Sequence, residues 1–123
     1  MAAKIYGYRE LFKALVEYHI TFVERLEREG YEKTFSLLLI ELPHREETLL
    51  REMVAPLLRR SDRLFYIDGD LIALLPGSDW NGAMKVHQTI VEALGIKGVE
   101  DRIVEYPTDG EDAFSLISNL YAR

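Results

Sequence analysis

The sequence predicts an α+β fold, a sheet containing a β-hairpin with helices packed on it. Three observations lead there. Arg59 to Gly77, RRSDRLFYIDGDLIALLPG, sets two apolar strands around an Asp-Gly pair, the strongest short-range hairpin signal. Several segments repeat apolar residues at helical spacing. The elements follow one another as α-β-α-β-β-α-β-α, with no internal repeat, linker or low-complexity segment.

The first helix is expected from about Ile5 to Glu29. Tyr8, Leu11, Phe12, Leu15, Val16, Phe22, Val23 and Leu26 recur on one face, and Glu10, Lys13, Glu17, Glu24 and Arg25 occupy the other. Gly30 supplies a stop. Such a helix is about 35–40 Å long, more than one sheet face needs. The overhang, largely residues 1–21, is expected to be a helical extension that offers a second packing surface or a partner-binding surface.

Phe35–Leu42 (FSLLLIEL) is nearly all apolar, the pattern of a central strand covered on both faces. Pro43 ends it. From Glu46 to about Arg60 the residues Leu49, Leu50, Met53, Val54 and Leu57 keep helical spacing, and Pro56 predicts a break near Ala55. The hairpin strands follow at about Arg63–Ile67 and Asp70–Leu75. Asp79 is a good N-cap for a helix carrying Trp80, Ala83, Met84, His87, Ile90, Val91 and Leu94 on one face, which Gly95 closes. Val99–Tyr106 reads as a weaker strand, Pro107-Thr108-Asp109-Gly110 as a turn, and Asp112–Arg123 as a C-terminal helix.

The chain has 123 residues, 48% hydrophobic and 29% charged, which suits one domain with a self-sufficient core. Its net charge of −6 argues against general nucleic-acid or anionic-membrane binding, because both need clustered positive charge. There is no cysteine, hence no disulfide, thiolate nucleophile or cysteine-ligated metal. Nothing at the N-terminus reads as a signal peptide, and no apolar run is long enough to span a bilayer. A cytoplasmic protein is expected.

The acids near the hairpin are the first candidates for chemistry. Glu41 ends the central strand, and Asp68 and Asp70 flank the turn around Gly69. Converging carboxylates suit Mg²⁺, although Asp-Gly also serves simply to make a tight turn, with Glu41 and Asp70 as solvated strand ends. His19 and His87 fall on apolar helix faces and read as core-edge residues, while His44 follows the central strand. No histidine spacing suits a metal, and no serine carries nucleophile-elbow glycines. Arg51, Arg59, Arg60 and Arg63 surround Asp62. Arginine forks suit phosphates or guanine edges, and they equally suit a helix end with its negative dipole.

The stretch RRSDRLFYIDGDLIALLPGSDWNGAMKVHQTIVEAL resembles the centre of a GGDEF domain, the diguanylate cyclase family. There an Arg-Ser-Asp helix end leads to a strand, the Gly-Gly-Asp/Glu-Glu-Phe turn, and a strand ending Leu-Leu-Pro-Gly. FVERLEREGYEKTFSLLLIELPH upstream and YPTDGEDAFSLISNLYAR downstream are similar to further segments of that family, in the same order. The resemblance covers about Phe22 to Arg123. It implies a cyclase-like palm, a mostly antiparallel sheet with helices packed on it.

The family's catalytic residues do not carry over with it. Anchoring on Leu74-Leu75-Pro76-Gly77 puts Gly69 where the family has a metal-binding acid and Asp70 at the following glutamate. Glu41 matches the first metal acid, and Pro43 replaces the second acidic position. The family's guanine-gripping stretch is replaced by the shorter Arg45-Glu46-Glu47-Thr48. Family members join two GTP molecules across a dimer with two metals, so these losses imply a chain without cyclase activity, catalytic residues or metal. Arg59-Arg60-Ser61-Asp62 does fit the Arg-x-x-Asp of the family's inhibitory site, which binds cyclic di-GMP. The expectation is a degenerate GGDEF-like domain acting as a regulatory or interaction module through its N-terminal helix. The alternative is a cyclic di-GMP or nucleotide receptor using Arg59 and Asp62, and residual cyclase activity stands last.

Overall fold

A computed structural model describes residues 4–30, 34–42, 47–96 and 102–122 of the chain. The strands β1 (Lys4–Tyr6), β2 (Phe35–Glu41), β3 (Arg63–Ile67), β4 (Asp70–Pro76) and β5 (Arg102–Tyr106) form one sheet in the order β1-β3-β4-β2-β5. β1 runs parallel to β3, and the other neighbours are antiparallel. The helices are α1 (Arg9–Arg28), α2 (Glu47–Met53), α3 (Trp80–Leu94) and α4 (Ala113–Ala122). The fold is α+β, as the hairpin and helical periodicities predict.

The hairpin forms where the Asp-Gly pair places it. Ile67 lies opposite Asp70, leaving a two-residue loop of Asp68 at φ 51° and Gly69 at φ 84°. Two positive φ values in succession make the turn whose twist matches the flanking strands. β2 then pairs along the whole of β4, from Phe35 opposite Pro76 to Glu41 opposite Asp70. Phe35 through Ile40 are all buried, which explains the unbroken apolar run.

Strand alternation splits the core into two layers. Leu38, Ile40, Leu71, Ala73 and Leu75 face α2 and α3, meeting Leu50, Val54, Ala83 and Ile90. Phe35, Leu37, Leu39, Phe65, Ile72 and Leu74 face α1 and α4, meeting Phe12, Val16, Ile20, Val23, Leu116 and Leu120. Each such side chain contributes about 1.5–3 kcal/mol by leaving water.

The first helix begins later than its periodicity predicts. Lys4–Tyr6 form β1, with Ile5 opposite Leu64 and the Tyr6 ring 5.6 Å from that of Phe65. Those partners lie some sixty residues away in sequence, and they win over local helical spacing. α1 has 20 residues, about 30 Å by helix rise, and buries Phe12, Val16, Ile20 and Val23. It is therefore part of the core rather than an extension beyond it. Elsewhere the punctuation holds. α2 ends at Met53 and a 3-10 turn over Ala55–Leu57 carries Pro56. Asp79 accepts a hydrogen bond from the Gly82 N–H at 2.8 Å, and Gly95 closes α3 in the left-handed conformation. The expected roles of Pro43, His44, Arg45, Glu46 and Val99 fall outside the described residues. Among the described residues no helix is long and apolar enough to cross a membrane.

Candidate functional site

Two places gather the candidate residues. The first is the hairpin tip. Register sets Glu41 directly across from Asp70, so two of the three acids that the sequence singled out do lie side by side. Both belong to the sheet face that α1 and α4 cover. The hairpin turn presents Asp68 beside them, and the Gly69 carbonyl accepts the Leu42 N–H at 2.7 Å.

Two arginines answer these acids. Arg9, at the start of α1, donates to Asp68 Oδ2 at 2.6 Å. Arg102, at the start of β5, lies 3.1 Å from Glu41 Oε1. Burial pushes the Asp70 carboxyl above its ordinary value, and the neighbouring Glu41 charge pushes it further, against a partial offset from Arg102. Tyr121, at the end of α4, has its phenol raised by burial and then by the Asp70 charge. Carboxylates here are thus neutralised by guanidinium groups, and Asp70 is biased toward holding a proton. Among the described residues no three histidine or acidic side chains converge to hold a metal ion.

Arg9 and Arg102 are functional-looking residues that the sequence did not disclose. They come from elements remote from the hairpin, and nothing in their own neighbourhoods marks them. Their only signal is register: Arg102 pairs with Leu39 on β2, two residues from Glu41 and on the same face.

The second place lies before β3. Asp62 is buried, with 1% of its surface exposed, and its carboxylate accepts from the Arg59 N–H at 2.8 Å and from Arg59 Nη2 at 3.0 Å. The same guanidinium reaches the Pro76 carbonyl at 2.7 Å and Ser78 Oγ at 3.3 Å. Arg59 therefore clasps the end of β4 to the turn that precedes β3. Arg63 donates to the Arg60 and Asp62 carbonyls at 2.7 and 2.9 Å. Ser36, fully buried on β2, donates to the Ser78 carbonyl at 2.8 Å and extends the network to the central strand. Arg51 lies apart, lining a cleft of about 310 Å³ with Lys4, Ile5 and Tyr6. His19 meets Phe35 edge-on at 4.7 Å and burial lowers its pKa, while His87 is buried on α3; both are core-edge residues, as their spacing predicts.

No protein-family model and no curated protein matches the sequence. Solved structures do match it in three dimensions. A DGC protein from Thermotoga maritima superposes with a TM-score of 0.67 at 18% identity, over 96% of this chain and 94% of that one. A sensory box/GGDEF family protein from Caulobacter crescentus CB15 gives 0.67 at 17% identity, over 93% and 87%. At such identities the likeness speaks for the fold. The five-stranded sheet and four helices of the described residues share the fold of these two structures, as the resemblance to a GGDEF domain implies.

Proposed function

We propose that this chain is a catalytically inactive GGDEF-like domain that serves as a regulatory or protein-interaction module. The observation that carries the reading is the state of the hairpin tip. The resemblance assigns metal-binding acids to the positions of Glu41 and Gly69. Gly69 has no side chain, and Glu41 is occupied by Arg102 at 3.1 Å. Asp68, the remaining turn acid, is held by Arg9. A divalent cation needs several free oxygen ligands; here guanidinium groups take Glu41 and Asp68, while burial and the Glu41 charge bias Asp70 toward holding a proton. The net charge of −6 supports a partner that is neither nucleic acid nor an anionic membrane, and the setting proposed with it is the cytoplasm. The test is incubation of purified protein with GTP and Mg²⁺. No cyclic di-GMP is expected, and its formation refutes the reading.

The receptor reading keeps one observation in its favour, the Arg59 side chain, which is 57% exposed. Its cost is Asp62, whose carboxylate is already spent on Arg59. Calorimetric titration with cyclic di-GMP decides: silence removes the receptor, and heat that vanishes in Arg59→Ala establishes it.

A further inference from the structure

We infer that α1 forms one half of a homodimer interface, with a second copy of this chain laid antiparallel along it; this deepens the interaction-module reading and rests on it. The apolar residues of α1 fall into two stripes. Phe12, Val16, Ile20 and Val23 are buried against the sheet. Tyr8, at the N-cap, then Leu11, Leu15, Tyr18 and Phe22 form a second stripe with steps of three and four residues. At helical spacing they occupy an arc of about 80°, and alternation of three and four is the seam by which two helices pair. Tyr8 is 73% exposed, Tyr18 68% and Phe22 45%, while Leu11 and Leu15 are half-buried.

The solvent-side flank of this seam carries one charge, Arg25, beside Tyr18 toward its C-terminal end. Ala14 and Thr21 border it on the solvent side, and the Thr21 hydroxyl already donates to the Glu17 carbonyl at 3.1 Å. Glu10, Glu17 and Glu24 lie further round, and the negative field of Glu24 reaches Tyr106 on β5. A second helix would therefore approach closely along the middle of the seam, with Arg25 the charge that it meets at each end.

The stripe complements itself. In an antiparallel pairing Leu11 meets the partner's Phe22, Leu15 meets the partner's Tyr18, and Tyr8 meets the partner's Arg25. Each layer sets a ring against a non-aromatic group, and symmetry repeats each one, as an isologous interface requires. Arg25, held 3.5 Å from Glu29 on the exposed surface, supplies a cation to the Tyr8 ring. The same register brings the partner's Tyr8 to the mouth of a cleft of about 330 Å³ lined by His19, Phe22, Leu26 and Pro76. A parallel pairing would instead stack ring on ring and leucine on leucine. At ~200 Å² per aromatic side chain the exposed rings contribute about 370 Å² per copy. That is about half of the ~800 Å² per partner in a standard interface, so the dimer is concentration-dependent, in the micromolar range.

Sedimentation equilibrium of the full chain across the micromolar range should show monomer giving way to dimer. Tyr18→Glu should weaken association about 30-fold with unchanged melting temperature, because that ring is exposed. Phe114→Ser, at an α4 aromatic 75% exposed but outside the seam, should leave the dimer intact. The chain has no cysteine, so single thiols report register. Tyr8→Cys mixed with Arg25→Cys should be joined by a short bis-maleimide, and Tyr8→Cys alone should not. A monomer throughout, a dimer indifferent to Tyr18→Glu, or self-linking of Tyr8→Cys overturns the inference. None of these outcomes touches the non-catalytic reading, which GTP turnover judges separately.

Discussion

Replacing Arg59 with alanine separates a clasp from a ligand site. The guanidinium contacts the buried Asp62 carboxylate at 3.0 Å, the Pro76 carbonyl at 2.7 Å and Ser78 Oγ at 3.3 Å. A hydrogen bond to a charged partner contributes about 1.5–3 kcal/mol. The Arg59 side chain is 57% exposed, so solvent screening discounts its share. Asp62 keeps the Arg59 backbone N–H at 2.8 Å after the substitution, which limits the loss further. The sum comes to about 2 kcal/mol, or about 6–10 °C in melting temperature for a chain of this size. Urea unfolding followed by far-ultraviolet circular dichroism measures it, with an unchanged slope as the sign that only stability moved. Arg60→Ala, at an exposed neighbour, should stay within about 0.5 kcal/mol of the parent. In a double-mutant cycle with Asp62→Asn, the coupling should exceed about 0.5 kcal/mol. If Arg59→Ala proves as stable as the parent, the clasp has no energetic content and the reasoning fails.

Asp70→Asn should stabilise the protein at neutral pH. Burial and the Glu41 charge raise the Asp70 pKa, so the native state binds its proton more tightly than the unfolded chain. The ionised form therefore costs stability above the folded pKa, the cost fades as pH falls from there and is gone below the ordinary carboxylate value, and paired thermal melts at pH 7 and about pH 3 should show the gain at pH 7 and its loss at the lower pH. Gly110→Ala should destabilise by about 1–3 kcal/mol, because a Cβ there would lie 2.8 Å from the Leu116 backbone nitrogen; chemical denaturation against a Gly30→Ala control, where nothing lies within 4 Å, tests the steric part. Phe65→Ala should cost about 3–5 kcal/mol, since Phe65 is fully buried between Tyr6 and Phe12, and the Phe12 ring lies 5.0 Å away; a urea titration would show it as an earlier midpoint.

What could be read from the chain alone was local. Asp68-Gly69 specifies its own turn, Pro56 its own break, and Asp79 and Gly95 their own helix ends, because each acts through the backbone within a few residues. β1 could not be read that way. Ile5 fits the phase of α1 well enough, and only β3, formed far downstream, reveals Lys4–Tyr6 as a strand. The candidate site divides along the same line. Glu41 and Asp70 were legible as neighbours, because both terminate strands around one hairpin. Arg9 and Arg102 were not, since their pairing depends on where α1 begins and where β5 docks. Arg59 and Asp62 were legible as a pair, but the reach of Arg59 to the Pro76 carbonyl was not.

The position of the hairpin in the sheet has a kinetic consequence. β3 and β4 occupy the second and third places in the order β1-β3-β4-β2-β5, between the two strands that α1 joins. β1 finds its partner only on β3, and β2 reaches the hairpin only through β4. β1 has no sheet partner until β3 is made, and β2 has none until β4 or β5 is made, although both leave the ribosome before them. The two-residue turn closes a short loop at small entropic cost, while the flanking pairings close long ones. Folding is expected to run from the middle of the chain outward. Substitutions in the Asp68-Gly69 turn should slow folding, whereas those in β1 should chiefly hasten unfolding.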